Sequence, residues 1–379
     1  MLLGIPFHVF MSYRAGQQWI VTSGEGAGLY FYLAEFIHLF RMPAFFMVAG
    51  YFAALLLARR EPGAWLKGRA TRLAIPFVTC LLLLNPLMNL ACEISVYPRA
   101  QAWSSFLHNS ATSGGYWVRH LWFIIVLLYC CAGTALAMKA APSLRQAMLP
   151  ARIDRWAARY AVPVLLLVAV LLGLWQAGAV EAFYMAGLAT NGPQQIMRLD
   201  ELIQFAPWFL LGLMLARAPR LRERLYRLSI PMVAIAVLAS VASLIGVGHL
   251  GPMQGRFLAT IAALFLTQCA IAACHELADR PHPLVEKLVD ASFTIYLFHM
   301  PIIIGLVVLG KSFLMPLALK VALVTLLSFA LSYGAWAVIS RSRLLLFLFD
   351  GRTSLAGVRH PPRRAELSSI PCRLAPVHE

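Results

Sequence analysis

Residues 29–60 read LYFYLAEFIHLFRMPAFFMVAGYFAALLLARR, and the fold follows from how this stretch is taken. From Leu29 to Ala58 it is apolar except for Glu35, His38 and Arg41, and it stops at Arg59 and Arg60. A helix rises about 1.5 Å per residue, so about 20 apolar residues cover the hydrocarbon core of a bilayer. The stretch is too long for one perpendicular crossing. Residues 42–58 are therefore expected to span, and the earlier part, with its three ionisable side chains, to lie at an interface or in a cavity.

Similar runs recur on either side, at 73–92, 120–138, 161–180, 202–216, 229–247, 256–274, 289–309 and 315–339. With 42–58 they make nine full spans, and Met1–Met11 makes a tenth, short one. That start cannot span alone, and it lacks the basic leader and small-residue cleavage site of a signal peptide. It is expected to be the C-terminal half of a first helix whose N-terminal half is missing, to be restored by an upstream start codon. The composition agrees: 60% of residues are apolar and 13% charged, against roughly 45–50% and 25% in soluble domains. An ordinary soluble domain and a disordered chain are both excluded. The expected fold is all-α, a polytopic transmembrane bundle of about ten helices over 1–350, followed by a basic, disordered cytoplasmic tail at 351–379.

The formal charge of +16 admits nucleic acid, anionic lipid or membrane topology, and its placement decides. Of 32 Lys and Arg, 24 fall in alternate connections, at 59–72, 139–159, 217–227, 280–287 and 341–373. Basic residues gather in cytoplasmic loops, so these connections and the C-terminus are expected to face the cytoplasm. Nucleic acid becomes remote, while Leu144–Tyr160 and Arg217–Arg227 suit anionic head groups. The seven cysteines, Cys372 among them, form no Cys-x-x-Cys and no His/Cys cluster, so no metal site or disulfide framework is expected. Nor is there a phosphate-binding Gly-rich loop, a nucleophile elbow or a deep carboxylate pair.

Ionisable groups at membrane depth are costly, so function is sought there. His8 precedes Arg14 by six residues, roughly 9 Å inward. It suits a general base, or equally a core histidine bonded to a neighbouring helix. Glu35, His38 and Arg41 step by three, which suits a carboxylate orienting an imidazole beside an anion-holding arginine, or an interfacial ion cluster. Counting 18 residues back from Arg59 puts Arg41 about 27 Å away, at the outer rim. Arg69 and Arg72 suit a phosphate-rich ligand, with positive-inside anchoring as the plainer account. His120 and Trp122 open a helix on the outer side, where Trp122 fits a membrane belt better than a ligand platform. Tyr296 and His299 lie three apart before Pro301, with His299 roughly 13 Å deep from Asp290. A midplane histidine beside a proline break is a site candidate, and helix packing is its alternative.

Six motifs in order carry a resemblance: Leu3-Gly4-Ile5-Pro6-Phe7-His8; Phe36-Ile37-His38-x-Phe40-Arg41-Met42; Phe45-Phe46-x-x-x-Gly50-Tyr51-Phe52; Arg69-x-x-Arg72-x-x-Ile75-Pro76; His120-Leu121-Trp122-Phe123; and Ala291-Ser292-x-x-Ile295-Tyr296-Leu297-x-His299-x-Pro301. Together they resemble the membrane acyltransferase family 3, and within it the branch that decorates osmoregulated periplasmic glucans. The likeness runs nearly to Phe349. It implies an inner-membrane, multi-pass O-acyltransferase that moves succinyl groups from a cytoplasmic acyl-CoA, succinyl-CoA, with no bound cofactor. His8 is implied as catalytic, and Arg69 and Arg72 as holding the donor. From the residues themselves, Glu35 and His38 are the further catalytic candidates, and Arg41, His120, Trp122, Tyr296 and His299 are the candidates for the substrate site. Expected partners are the donor, the glucan, the bilayer and glucan-synthesis proteins. Family members carry an arginine upstream of the helix-1 histidine, and this chain starts after that position. Two other readings stand beside it: acylation of another surface polysaccharide, and a transporter of glycan or lipid without chemistry.

Overall fold

The computed structural model describes residues 2–16, 19–188, 192–278 and 282–352. Among them there is no strand, only an isolated bridge between Arg14 and Ala27. The tail from residue 353 onward, with Cys372, lies outside the described residues.

The helices follow the apolar runs. First come α1 (Gly4–Tyr13), α2 (Gly28–Leu57) and α3 (Pro62–Val96). Then α4 (Arg99–Thr112) and α5 (Gly114–Val118) lead through a tight turn into α6 (Trp122–Ala140). A short α7 (Ala151–Arg159) precedes α8 (Ala161–Trp175), which passes through a π-helical turn at Gln176–Val180 into α9 (Glu181–Met185). Next are α10 (Gly192–Met197), α11 (Leu199–Leu215), α12 (Pro219–Leu225) and α13 (Ile230–Gly246). The described chain closes with α14 (Pro252–Ala278), α15 (Pro283–Gly310), α16 (Leu317–Ile339) and α17 (Arg343–Asp350).

Seven of these stretches are long and apolar enough to cross a membrane, and α10–α11 with α12 makes an eighth, bent by 109°. The 17-residue α13 and the ten-residue α1 are shorter. All correspond to runs read from the sequence, and the molecule is a polytopic helical bundle. The run from 29 to 58 forms one continuous helix, α2. Leu82, Leu87, Leu171, Leu238 and Leu326 are exposed, as lipid-facing positions should be. Prolines 43, 76, 86, 207 and 301 sit inside helices, which is tolerated where neighbours satisfy the freed carbonyls.

Lipid is as apolar as leucine, so membrane helices associate through close packing of small residues. The most extensive helix pair here, α2 with α11, shows this. A Cβ added at Gly50 would lie 1.9 Å from the carbonyl oxygen of Phe209, and one at Gly212 would lie 1.9 Å from that of Met47. Backbone therefore meets backbone along this seam. The connections rich in Lys and Arg collect at one end of the bundle, called the basic end below.

At the opposite end a polar ladder on α3 holds the approach to α6. Asn85 donates to the carbonyl of Trp117 at 2.5 Å and Asn89 to that of Tyr116 at 2.7 Å. Glu93 accepts from Ser105, Asn109 and the Tyr116 hydroxyl, and Arg119 donates back to Asn89. Arg119 has φ 44°, a left-handed conformation that costs roughly 1–3 kcal/mol for a side-chain-bearing residue and survives because these bonds over-determine it. The turn that follows points His120 and Trp122 into the bundle.

Candidate active site

At the core lies a cavity of about 60 Å³ lined by Gly4 and His8 of α1, Arg41, Met42 and Phe45 of α2, His120, Trp122 and Phe123 at the start of α6, and Tyr296 and His299 of α15. Four distant parts of the sequence thus converge. The His8 and His299 rings are 5.2 Å apart, and His120 and His299 are 5.8 Å apart. Tyr296 stands edge-on to Phe123 at 4.3 Å, and its hydroxyl donates to the carbonyl of His120. Among the described residues, no three His, Cys, Asp or Glu side chains are placed to hold a metal ion.

Hydrogen bonding fixes one tautomer. His299 Nδ1 lies 2.5 Å from the carbonyl oxygen of Tyr296, which can only accept. The proton is therefore on Nδ1, and Nε2 is left as a buried acceptor without a partner. That Nε2 lies 3.3 Å from where a Cβ on Gly4 would stand, so a side chain there would press on the cavity wall. His8 Nδ1 is likewise buried and unpaired.

Arg41 lies 4.0 Å over the Phe7 ring, and its Nε is buried without a partner. No carboxylate pairs with it among the described residues. Glu35, three residues earlier, faces Arg14 at 4.0 Å instead. Arg41 stands midway along α2 and beside the histidines of the other helices, a neighbourhood that counting along one helix does not register.

The sequence grouped Glu35, His38 and Arg41; the structure turns Glu35 towards Arg14 and leaves His38 and Arg41 against the same Phe7 ring. His38 stacks on that ring at 5.6 Å, and His8 meets it edge-on at 4.7 Å. No hydrogen bond joins Glu35 to His38 among the described residues. His38 instead lines a second cavity, of about 240 Å³, with Gln176, Gln204, Arg256 and Thr260. Trp122 is a wall of the first cavity, stacked on Phe205 at 5.4 Å, rather than a membrane-belt residue.

Arg69 and Arg72 face a third cavity, of about 270 Å³, with Trp65 and Cys131. Phe45 and Phe123 line both this and the histidine cavity, with ring centroids 5.1 Å apart, and so form the partition between them. Arg72 pairs with Asp350 at 3.3 Å, and Arg352 binds the same carboxylate at 2.8 Å. Arg69 has no carboxylate partner among the described residues.

Several contributors escaped the sequence reading. Trp19 stacks on His8 at 5.4 Å with the rings 14° apart. The loop that carries it is tied back by Ser23 to the carbonyl of Ser12, by Ala27 to that of Tyr13, and by Glu25 to the buried Lys320 at 3.1 Å. No local pattern marks Trp19. The spacing of Asn85, Asn89 and Glu93, four apart on an otherwise apolar helix, was the signal for the ladder.

These side chains thus gather inside a bundle whose helices are long and apolar enough to cross a membrane. A family model described as an acyltransferase domain (Acyl_transf_3) matches residues 1–337, and the chain belongs to that family. It is similar to "Glucans biosynthesis protein C" of Escherichia coli K12, 28% identical over 314 residues that cover 80% of this chain and 79% of the relative. The Escherichia coli O157:H7 protein of the same name gives the same identity and coverage. No solved structure matches significantly.

Proposed function

We propose that the protein is an O-acyltransferase that takes an acyl group, succinyl by preference, from an acyl-CoA at the basic end and passes it to a hydroxyl of a periplasmic glucan at the opposite end. The observation that carries this reading is Arg41: a half-buried guanidinium whose Nε is buried without a partner and which pairs with no carboxylate among the described residues, beside histidines with unpaired ring nitrogens. An isolated buried cation is costly, so a site that keeps one is suited to an anion that forms during reaction.

Donor phosphates would meet Arg69 and Arg72, the thioester reaching the histidines between Phe45 and Phe123. The acceptor would enter past Trp19, with His38, Gln176 and Gln204 positioned for its neighbouring hydroxyls. His8 takes the hydroxyl proton as the oxygen bonds to the thioester carbon. Arg41 holds the oxyanion, the carbon–sulfur bond breaks, and the proton leaves on the thiol. His299 Nε2 accepts a hydrogen bond from a neighbouring hydroxyl of the acceptor and so keeps the reacting one beside His8. The glucan is proposed from the name of the relatives, and the succinyl group from the family branch.

The test uses full-length protein in nanodiscs with succinyl-CoA, with and without glucan. Thiol release that needs glucan, with a succinyl mass gained by the glucan, is expected. Binding of both without thiol release would instead mark a transporter, and gain of mass only by another polysaccharide would move the acceptor. Sidedness is read in cells, in a cysteine-free background: Ser104→Cys should label from the periplasm and Arg220→Cys only after permeabilisation. The reverse would put Arg69 and Arg72 on the glucan side and overturn the donor assignment.

A further inference from the structure

At the basic end an apolar cavity of about 480 Å³ lies under the corner where the chain turns by 109° from α11 into α12. Val164 and Val168 of α8, Met214 of α11, Leu221 of α12 and Leu264 of α14 are among its walls. The volume falls within the roughly 300–1,000 Å³ of ordinary ligand sites. Met148 and Met214 line it and are exposed, so it opens on the flank of the bundle, where lipid lies. It shares no lining residue with the Arg69/Arg72 cavity.

The surroundings are cationic. Arg217 lines the cavity at the corner, where its Nη2 donates to the carbonyl of Leu144. Nearby α7 and α12 are locked together by the buried Asp154, whose two oxygens accept from the amides of Arg220 and Leu221 at 3.0 Å each. That consumes the sole carboxylate of α7 inside the protein. Arg152, Arg155, Arg159 and Arg220 are left exposed, with Glu223 as the one acid of α12. Ile153 and Trp156, one turn apart on α7, are also exposed, the pattern of a helix lying in a bilayer interface. An apolar chamber at hydrocarbon depth, roofed by an interfacial arginine pair of helices, matches an amphiphile with a negative head.

We propose that this cavity binds an acyl chain of an anionic phospholipid, whose phosphate is met by Arg217 and the arginines of α7 and α12. Met47, whose carbonyl faces Gly212 across the α2–α11 seam, forms part of the wall, so the bound chain braces that seam. The site is separate from the proposed reaction and stands whether or not that reaction is correct.

The experiment is native mass spectrometry of the full chain released from nanodiscs of phosphatidylcholine with or without phosphatidylglycerol, beside thermal unfolding in the same discs. The expected result is one retained phosphatidylglycerol and a higher unfolding temperature when it is present. Val168→Phe, which fills the chamber, and Met214→Trp, which narrows its mouth, should lose both while unfolding normally in phosphatidylcholine alone. If Val168→Phe fails to fold, Met214→Trp carries the test. Arg220→Gln, whose guanidinium has no partner among the described residues, should cut the preference for phosphatidylglycerol by about tenfold. Equal retention of both lipids, undiminished retention in a folded filling variant, or displacement of the lipid by succinyl-CoA would overturn the proposal.

Discussion

The histidine cavity and the Arg69/Arg72 cavity share a wall but treat charge in opposite ways. In the first, Arg41 is half-buried, its Nε is buried without a partner, no acid among the described residues pairs with it, and it lies over the Phe7 ring. In the second, Arg72 is half exposed and answered by Asp350, itself shared with Arg352. A charge left uncompensated at membrane depth costs stability and gains the ability to respond to charge that forms later. A charge already partnered and near water can exchange that partner for an arriving phosphate. The contrast separates a place for a reaction from a place for binding.

The sharpest way to break it is His8→Ala. Loss of a general base should lower acyl transfer by about 10²–10⁴-fold with donor affinity nearly unchanged. Rates from thiol release and affinities from calorimetry decide; normal transfer would remove His8 from the chemistry.

Arg41→Met tests the uncompensated charge. Transfer should fall by about 10²–10³-fold, while the unfolding temperature holds or rises, because a buried unpaired cation is replaced by an apolar chain. A fall in stability as well as in rate would mean that Arg41 is structural.

Arg69→Ala and Arg72→Ala should weaken donor binding by about ten- to a hundredfold each. Lysine should rescue only partly, since it keeps the charge without the planar fork. Arg72, already engaged by Asp350, is expected to show the smaller loss. Unchanged affinity in both would return the pair to topological anchoring.

The smallest effect concerns Asp350. Burial raises its pKa above the usual carboxylate value, against the pull of Arg352 and Arg72. The folded chain then holds that proton more tightly than the unfolded one. The resulting stabilisation is present below the unfolded pKa and is lost as pH rises through the raised folded value. Asp350→Asn should flatten that part of the stability profile, measured by thermal unfolding across the acid range. It should also free Arg72 and tighten the donor by a few-fold, on the order of one weakened ion pair. A profile as steep as that of the parent protein would locate the titration elsewhere.

Much of the architecture was legible because a bilayer allows few solutions: each apolar run must become a helix about as long as the membrane is thick. The positions of His8, Tyr296 and His299 were legible for a related reason, since polar groups within such runs are rare enough to notice. Their grouping was not. The three-residue spacing of Glu35, His38 and Arg41 places them on one flank of α2, but His38 stacks on Phe7 of α1, and Arg14 draws Glu35 away. Which side chains share a cavity depends on the neighbouring helix, and periodicity along one helix carries no information about it. Trp19 shows the same limit from a loop, where its contact with His8 rests on tethers up to 300 positions away in the chain, such as Lys320.

The ladder from Asn85 to Glu93 has a consequence for how the protein meets membranes of different thickness. A loop anchored only by water and head groups drifts with the interface when a bilayer thickens or thins. Here the carbonyls of Tyr116 and Trp117 are claimed by amide side chains of α3, and Arg119 by Asn89. The depth of His120 is thereby registered to a helix rather than to the lipid surface. Tyr296 of α15 also donates to the carbonyl of His120, so a bilayer that thickens or thins is expected to move His120 with α3 and α15 rather than with the lipid surface.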